Sequence, residues 1–482
     1  MTNIGELGIT LGDLDFGGID AESDTGLERH FVTTPYVESA LEGKRRHFLG
    51  RKGSGKSALF SQIPQLVADS NRPETLVLSL TPNQYAWGAL RDYRDQGILE
   101  EQAHTDAWKF TLAVEIAGAL LAADVTWTPG AANSLARVRK FLTDNYGSVN
   151  PGLLGTAKSI VKGLTTFNLS AFGFGVGATR KIDDNQPLTP AISSQLMSEL
   201  ATAIHEEGLI VAIDRLDDSW DGSPASASLM VGLLKASKDL NDEFPKSGDN
   251  RGLRILTFIR SDIYDSLKFD DKDKHRSLEE PIQWTPELLK EMVDRRLPHN
   301  LEAGDLFEEG DMRGRISPFN YLVKRTFLRP REVLQFLDEC IRVAGTKAPE
   351  ISKDNISTAE DRYSSWKVSD LKQEYSKAFP DFEPLIESLR QEVHRYESLD
   401  DLASLLERKV PDLVGKYGTR SLLEKLFEFS VIGVRLADAG STRFKAEDSS
   451  LTLPSSGAAY VHQSLFRGLS IRETRRAAEA VN

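Results

Sequence analysis

The chain has 482 residues, too many for one compact core, and its 40% hydrophobic and 27% charged content is that of a folded protein. A net charge of −13 argues against attachment to nucleic acid or anionic lipid by bulk electrostatics. The single cysteine, Cys340, excludes a disulfide framework and a cysteine-rich zinc site.

Residues 1 to 28 read as an acidic, Gly-rich lead-in without the basic-then-apolar layout of a secretion signal; with a single cysteine, a cytoplasmic location is expected. A short apolar strand end, His47-Phe48-Leu49, then runs into Gly50-Arg51-Lys52-Gly53-Ser54-Gly55-Lys56-Ser57, which fits the phosphate-loop pattern G-x-x-x-x-G-K-[ST]. The glycines allow a loop whose backbone N–H groups converge, and the helix that follows near Gly55 through Ala58 adds the positive end of its dipole. Lys56 is placed for the β- and γ-phosphates and Ser57 for Mg²⁺. Pro64 is expected to kink or end that helix after about two turns.

Thr75 to Leu80 is the next predicted strand, followed by helical patterns over Tyr85–Arg94 and Ala107–Ala123. Phe110 to Val125 is apolar but carries Glu115 and is shorter than the ~20 residues a membrane span needs, so it reads as a buried helix. Residues 127 to about 190 read as an insertion. Within it Thr165 to Gly177 alternates Phe and Gly, which predicts a strand with a register break or a hairpin turning near Ser170. Its bare glycine face offers either an intrachain hairpin or a self-assembly or partner contact.

The second half of a phosphate site is expected on Leu209-Ile210-Val211-Ala212-Ile213-Asp214, an apolar run that suits a buried parallel strand with its C-terminal end at the ligand crevice. Asp214 is the candidate for the metal shell, and Asp217 or Asp218 for orienting or deprotonating an attacking water; alternatively either of the latter, ahead of Ser219-Trp220, acts as an N-cap on a turn. Leu253 to Ile259 is a further buried strand that delivers Arg260, which either meets a γ-phosphate or pairs with an acid. Thr285-Pro286-Glu287 starts a helix, and Arg295-Arg296 on it are read as facing solvent, with a neighbouring subunit as the alternative. Cys340, at helical spacing among Val333, Leu334, Leu337 and Ile341, reads as core packing.

From Ile351 to about Glu397 the pattern is charged and helical, a connector. Two helical runs follow, Leu399–Leu406 and Arg420–Phe429, then a hairpin signal over Val431–Leu436, Asp438–Gly440 and Arg443–Lys445. A closing helix is predicted over Ala458–Leu469.

Three stretches, GRKGSGKS, LIVAIDRLDD and RILTFIRSD, together with Phe327-Leu328-Arg329-Pro330-Arg331-Glu332-Val333-Leu334, resemble the AAA+ superfamily, and within it the STAND and KAP-like P-loop ATPases of bacteria. The resemblance covers roughly residues 29 to 345. It implies an α/β core, a doubly wound parallel P-loop NTPase sheet over 29–300 with the insertion at 127–190. It further implies a helical lid at 301–350, the connector at 351–397 and an α+β winged-helix-like domain at 398–482. In the lid, Arg331 in preference to Arg329 is expected to touch nucleotide. Lys56, Asp214, Asp217, Asp218 and Arg260 would be the catalytic group, with ATP and Mg²⁺ as cofactors held by Gly50 to Ala58. Arg215 stands where many members carry glutamate, so slow hydrolysis, or a scaffold that holds nucleotide, is a second expectation. The implied role is an ATP-driven switch acting on a partner or effector protein, in signalling or antiphage defence, with a homo-oligomer open and no membrane partner. The rival is a DNA-binding initiator or loader; the mixed charge of Arg420–Phe429 does not favour nucleic acid.

Overall fold

A computed structural model of the chain describes residues 4, 8–70, 75–82, 84–91, 100–161, 166–168, 179–181, 190–245, 251–298, 300–435 and 440–473. It divides into two compact units, one made of Pro35–Arg51 and Lys56–Pro281, the other of Met1–Thr34, Lys52–Gly55 and Ile282–Asn482.

The strands of the first unit are, in chain order, β1 (His47–Leu49), β2 (Leu76–Leu80), β3 (Thr166–Asn168), β4 (Thr179–Lys181), β5 (Leu209–Ile213), β6 (Leu253–Ile259) and β7 (Glu279–Pro281). Five of them form a parallel sheet in the order β2-β5-β6-β1-β7. Strands covered by helices on both faces need apolar side chains at every position rather than at alternate ones, and β5 and β6 are buried along their whole length. The register sets Phe48 beside Phe258 and Ala212 beside Leu256. From β1 the chain leaves for the far edge at β2, while β7 is added on its other side. The C-terminal edge of β1 is therefore a topological switch point, where open parallel sheets form their ligand crevices.

The helix Glu100–Ala122 is buried on most of its sides and packs on the helices Pro190–Glu207 and Pro224–Glu243. Among the described residues, no helix is long and apolar enough to cross a membrane. In the 127–190 stretch the helix Pro129–Tyr146, capped by the Thr128 side chain, packs on Pro190–Glu207. β3 and β4 pair antiparallel as a separate ribbon. Ser170 and the glycines at 173, 175 and 177 lie outside the described residues. The helix after β1 does not stop at Pro64; it runs Lys56–Asp69. A proline inside a helix forfeits one backbone bond, and here the completely buried Ile63 and nearly buried Val67 on either side of it hold the helix against the core.

In the second unit the helices Pro286–Asp294, Pro318–Val323, Pro330–Ala344 and Lys353–Tyr375 share one core with Leu11 and Val32 from the start of the chain. Cys340 is in that core, as expected. The C-terminal part consists of β8 (Arg395–Tyr396), the helices Leu399–Lys409, Pro411–Tyr417 and Thr419–Glu428, then β9 (Ile432–Arg435) and β10 (Ala458–Val461). The three strands form an antiparallel sheet, β8-β10-β9. The predicted closing helix over Ala458–Leu469 is thus corrected. Ala459 and Val461 are buried while Ala458 and Tyr460 are less so, the two-residue period of a strand, and only Gln463–Leu465 turns helical. The predicted hairpin survives as β9 with a bridge between Val434 and Arg443; residues 436–439 lie outside the described set.

Candidate functional site

At the C-terminal edge of the parallel sheet, β1, β5 and β6 deliver Gly50, Asp214 and Arg260 in turn. Gly50 continues the β1 pairing by donating its N–H to the Ile259 carbonyl at 3.1 Å. Lys56 opens the next helix, is 7% exposed, and its ammonium donates to the carbonyls of Gly50 at 3.1 Å and Arg51 at 3.3 Å. Burial pulls the Lys56 pKa down; Asp217 and then Asp214 push it back up, and Arg260 lowers it again. A dehydrated ammonium of this kind gains most from an anion placed beside it.

Asp214 follows β5, and its N–H donates to the Leu80 carbonyl at 3.1 Å. It is 2% exposed. Burial raises its pKa, opposed by hydrogen bonds from the Ser57 hydroxyl and the Arg215 N–H and by the charge of Lys56. Its Oδ2 is buried with no hydrogen-bond partner. Such an oxygen is costly unless something electropositive meets it. Among the described residues no cluster of three or more His, Cys, Asp or Glu is arranged to chelate a metal. A divalent ion beside Ser57 and Asp214 would therefore take its other ligands from phosphate and water, the way magnesium is usually held. The residues fit that ion.

Arg215 turns the chain with φ 61°, a left-handed conformation uncommon outside glycine. Asp217 is half-buried and acts electrostatically on both Lys56 and Asp214, whereas Asp218 is exposed, its N–H donating to the Arg215 carbonyl at 3.3 Å. Neither caps the following helix. That helix starts at Pro224 with Ser223 as its cap; Asp221 supports the cap through Ser226 and Ser223, which hold its carboxyl well below the usual range. Arg260 pairs side-on with Asp262, at 3.1 Å and 2.7 Å, while remaining close enough to depress the Lys56 pKa.

Lys52 to Gly55 are grouped with the second unit. Arg329 donates to the Lys52 carbonyl at 3.1 Å and Trp284 donates from its indole to the Ser54 carbonyl at 2.8 Å. The Lys52 ammonium pairs with Asp370 at 2.8 Å. Gly53 and Gly55 have φ of 77° and 95°. A Cβ on Gly53 would stand 3.0 Å from the Cβ of Arg331, so a side chain there would be both strained and crowded. Arg331 pairs with Asp20 at 2.9 Å. Arg329, by contrast, is buried between Glu374 at 3.0 Å and Glu332 at 3.4 Å. Leu328, immediately before it, has a left-handed backbone at φ 52°, uncommon for a bulky side chain. Trp284, Asp370, Glu374 and Asp20 escaped sequence reasoning, since each meets its partner across hundreds of residues or a helix face that no local pattern marks.

The helices that carry these side chains have a family counterpart. Residues 287–372 match the FunZ-associated C-terminal helical domain. The FunZ-associated match includes Arg329, Arg331 and Asp370, and it ends before β8. Over 467 residues the chain is 22% identical to a putative transposon gamma-delta 80.3 kDa protein of Escherichia coli (strain K12), covering 91% of this chain. The chain spans 64% of that relative's length. Among solved structures it is similar to the Aeropyrum pernix ORC1 protein in complex with DNA, at 12% identity over 92% of each chain and a TM-score of 0.34.

Proposed function

We propose that this chain binds ATP with Mg²⁺, hydrolyses it, and passes its nucleotide state to a partner protein. The observation that carries the reading is at Asp214: one carboxylate oxygen is buried and unpartnered while the carboxylate accepts from Ser57, the last residue of the phosphate-loop motif. When bound, a magnesium ion would supply positive charge to the phosphate chain. Lys56 would meet the same phosphates, Ser57 and Asp214 are the residues that would hold the ion, and Asp217 or Asp218 would orient the attacking water. Arg260 adds a second positive charge near Lys56 for the phosphate chain, and Arg331 is the lid arginine proposed to touch nucleotide. In this reading 29–300 is the ATPase core, 301–350 the lid, 351–397 the connector and 398–482 a winged-helix-like domain. The AAA+ and STAND-like assignment, a cytoplasmic location and a role in signalling or antiphage defence belong to the same proposal, supported by the motifs and their order along the chain.

Turnover decides it. Wild type should hydrolyse ATP in the presence of magnesium, and Lys56→Ala and Asp214→Asn should each lose on the order of a hundredfold or more. Unchanged hydrolysis in Lys56→Ala overturns the site; tight ATP binding without turnover in wild type leaves a nucleotide-holding scaffold.

A DNA-binding initiator or loader is the second reading, favoured by the order β8, three helices, β9, β10 in the C-terminal part. Against it, four of the described cations there are paired with acids: Arg420 with Glu424, Lys425 with Glu428, Lys416 with Asp381 and Lys409 with Glu392. Anisotropy of a labelled duplex titrated with the full chain at two salt concentrations tests it; salt-dependent binding favours this reading.

A further inference from the structure

A planar peptide fixes the carbonyl of one residue and the N–H of the next on opposite sides of the same bond. In the phosphate-loop crown, two alternate carbonyls are gripped by side chains. Arg329 holds that of Lys52 at 3.1 Å, and the Trp284 indole holds that of Ser54 at 2.8 Å. The N–H groups of Gly53 and Gly55 are thereby turned away from those two side chains. Both glycines have positive φ, a backbone shape open to glycine at little cost.

The grip is itself anchored. Arg329 is 4% exposed and held by Glu374 at 3.0 Å. Glu374 lies one helical turn beyond Asp370, which holds the Lys52 ammonium at 2.8 Å. One helix, Lys353–Tyr375, therefore secures Lys52 by its side chain directly and by its carbonyl through Arg329. The Trp284 ring is also close to the loop, with its Cζ2 3.7 Å and its Nε1 3.8 Å from where a Gly55 Cβ would stand.

We propose that Trp284 and Arg329 are positioning residues for the phosphate loop, presenting the Gly53 and Gly55 N–H groups to the phosphate chain of a nucleoside triphosphate without Trp284 touching the ligand. This rests on the triphosphate reading above. Donors already oriented before binding need no reorganisation when the anion arrives. The indole N–H, and not the bulk of the ring, is the group that matters.

The test compares full-length wild type with Trp284→Phe, which keeps a ring and loses the donor. ATP and inorganic pyrophosphate are titrated by calorimetry, and thermal unfolding is recorded without ligand. Both dissociation constants should rise about tenfold, the worth of one hydrogen bond, with the unfolding midpoint nearly unchanged. Should Trp284→Phe fold poorly, β-(3-benzothienyl)alanine placed at position 284 keeps the indole's shape and lacks only the N–H; the same tenfold loss is expected. Wild type that fails to bind either ligand overturns the triphosphate reading and this inference together. Wild type that binds, with either variant indistinguishable from it, overturns the positioning role alone. A lowered midpoint with unchanged affinities has the same meaning, because a merely structural tryptophan moves only the midpoint.

Discussion

Arg296 donates to Asp24 at 2.9 Å in a place where the two side chains are 5% and 1% exposed. The expectation that Arg295 and Arg296 face solvent holds for Arg295, which is exposed, and fails for Arg296, which is buried. Arg295 pairs with Glu291 and reaches the Phe31 carbonyl at 3.0 Å. Arg296 also donates to the carbonyls of Phe16 at 3.0 Å and Met292 at 3.1 Å, so it stitches the start of the chain to the helix Pro286–Asp294. Removing one partner of a buried ion pair leaves the other charge without compensation, a loss of about 3–5 kcal/mol. Arg296→Ala should therefore lower the denaturant midpoint strongly in urea unfolding. Asp24→Asn should do the same, and the double variant should cost less than the sum. Strict additivity would show that the two side chains do not act as a pair.

Glu115 makes a prediction about pH. It lies in the helix Glu100–Ala122, is 8% exposed, and has a carboxylate oxygen with no hydrogen-bond partner. Burial pushes its pKa up from 4.5 to about 7. Between pH 4.5 and 7 the folded chain therefore keeps a proton that the unfolded chain has released. Stability from this group falls as pH rises through that window and is level above it. The shift corresponds to about 3 kcal/mol. Glu115→Gln should be more stable than wild type at pH 8 and close to it at pH 4.5. Equal differences at the two pH values would refute the buried-acid account.

Much of this architecture could be read from the chain. The apolar runs at β5 and β6 are legible because a strand buried on both faces announces itself without reference to its partner. The phosphate-loop pattern is legible because its residues are contiguous. Elsewhere local pattern misleads. Pro64 reads as a helix kink or end, yet the helix continues past it, with Ile63 and Val67 buried. Ala458–Leu469 is rich in helix formers, and only pairing with Arg395 and with Ile432–Arg435 makes its first four residues a strand. Trp284 precedes an obvious helix start, but its hydrogen bond to Ser54 spans 230 positions. Asp370 looks like one more solvated acid on a charged helix. Nothing adjacent in sequence distinguishes it from Asp361, and Lys52 selects it through the fold.

His47 and His275 give a second pH prediction of opposite sense. His47 sits on β1 with its Nδ1 2.9 Å from the Thr257 hydroxyl and its Nε2 3.1 Å from Nδ1 of His275. Burial, then the neighbouring His275, pulls its pKa down to about 3; burial and nearby lysines bring His275 to about 4. The unfolded chain binds protons at both rings below about pH 6.5 while the folded chain does not. Stability from the pair is complete above pH 6.5 and is lost as pH falls toward 4. His47→Gln should flatten the dependence of unfolding free energy on pH between those limits, although it lowers stability at pH 7 by losing a buried hydrogen bond. An unchanged slope would mean that other groups govern the acid limb.

Asp217 and Asp218 are adjacent but not equivalent, and the difference can be measured. Asp217 is half-buried and is the foremost charge supporting the ammonium of Lys56; it also raises the pKa of Asp214. Asp218 is exposed in the turn that begins at Arg215. If the proposed hydrolysis draws its water-orienting carboxylate from this stretch, Asp217→Asn should reduce kcat by about 10²–10⁴-fold, the usual worth of a general base, and Asp218→Asn should stay near wild type. A second readout separates chemistry from simple loss of charge. Without Asp217 the Lys56 pKa falls further, so the alkaline limb of the kcat/KM profile should move to lower pH in Asp217→Asn and stay in place in Asp218→Asn. The reverse ranking would put the working carboxylate on the exposed side of the turn. Arg215, whose left-handed backbone sets that turn, would then be the residue whose replacement by glycine should alter the rate.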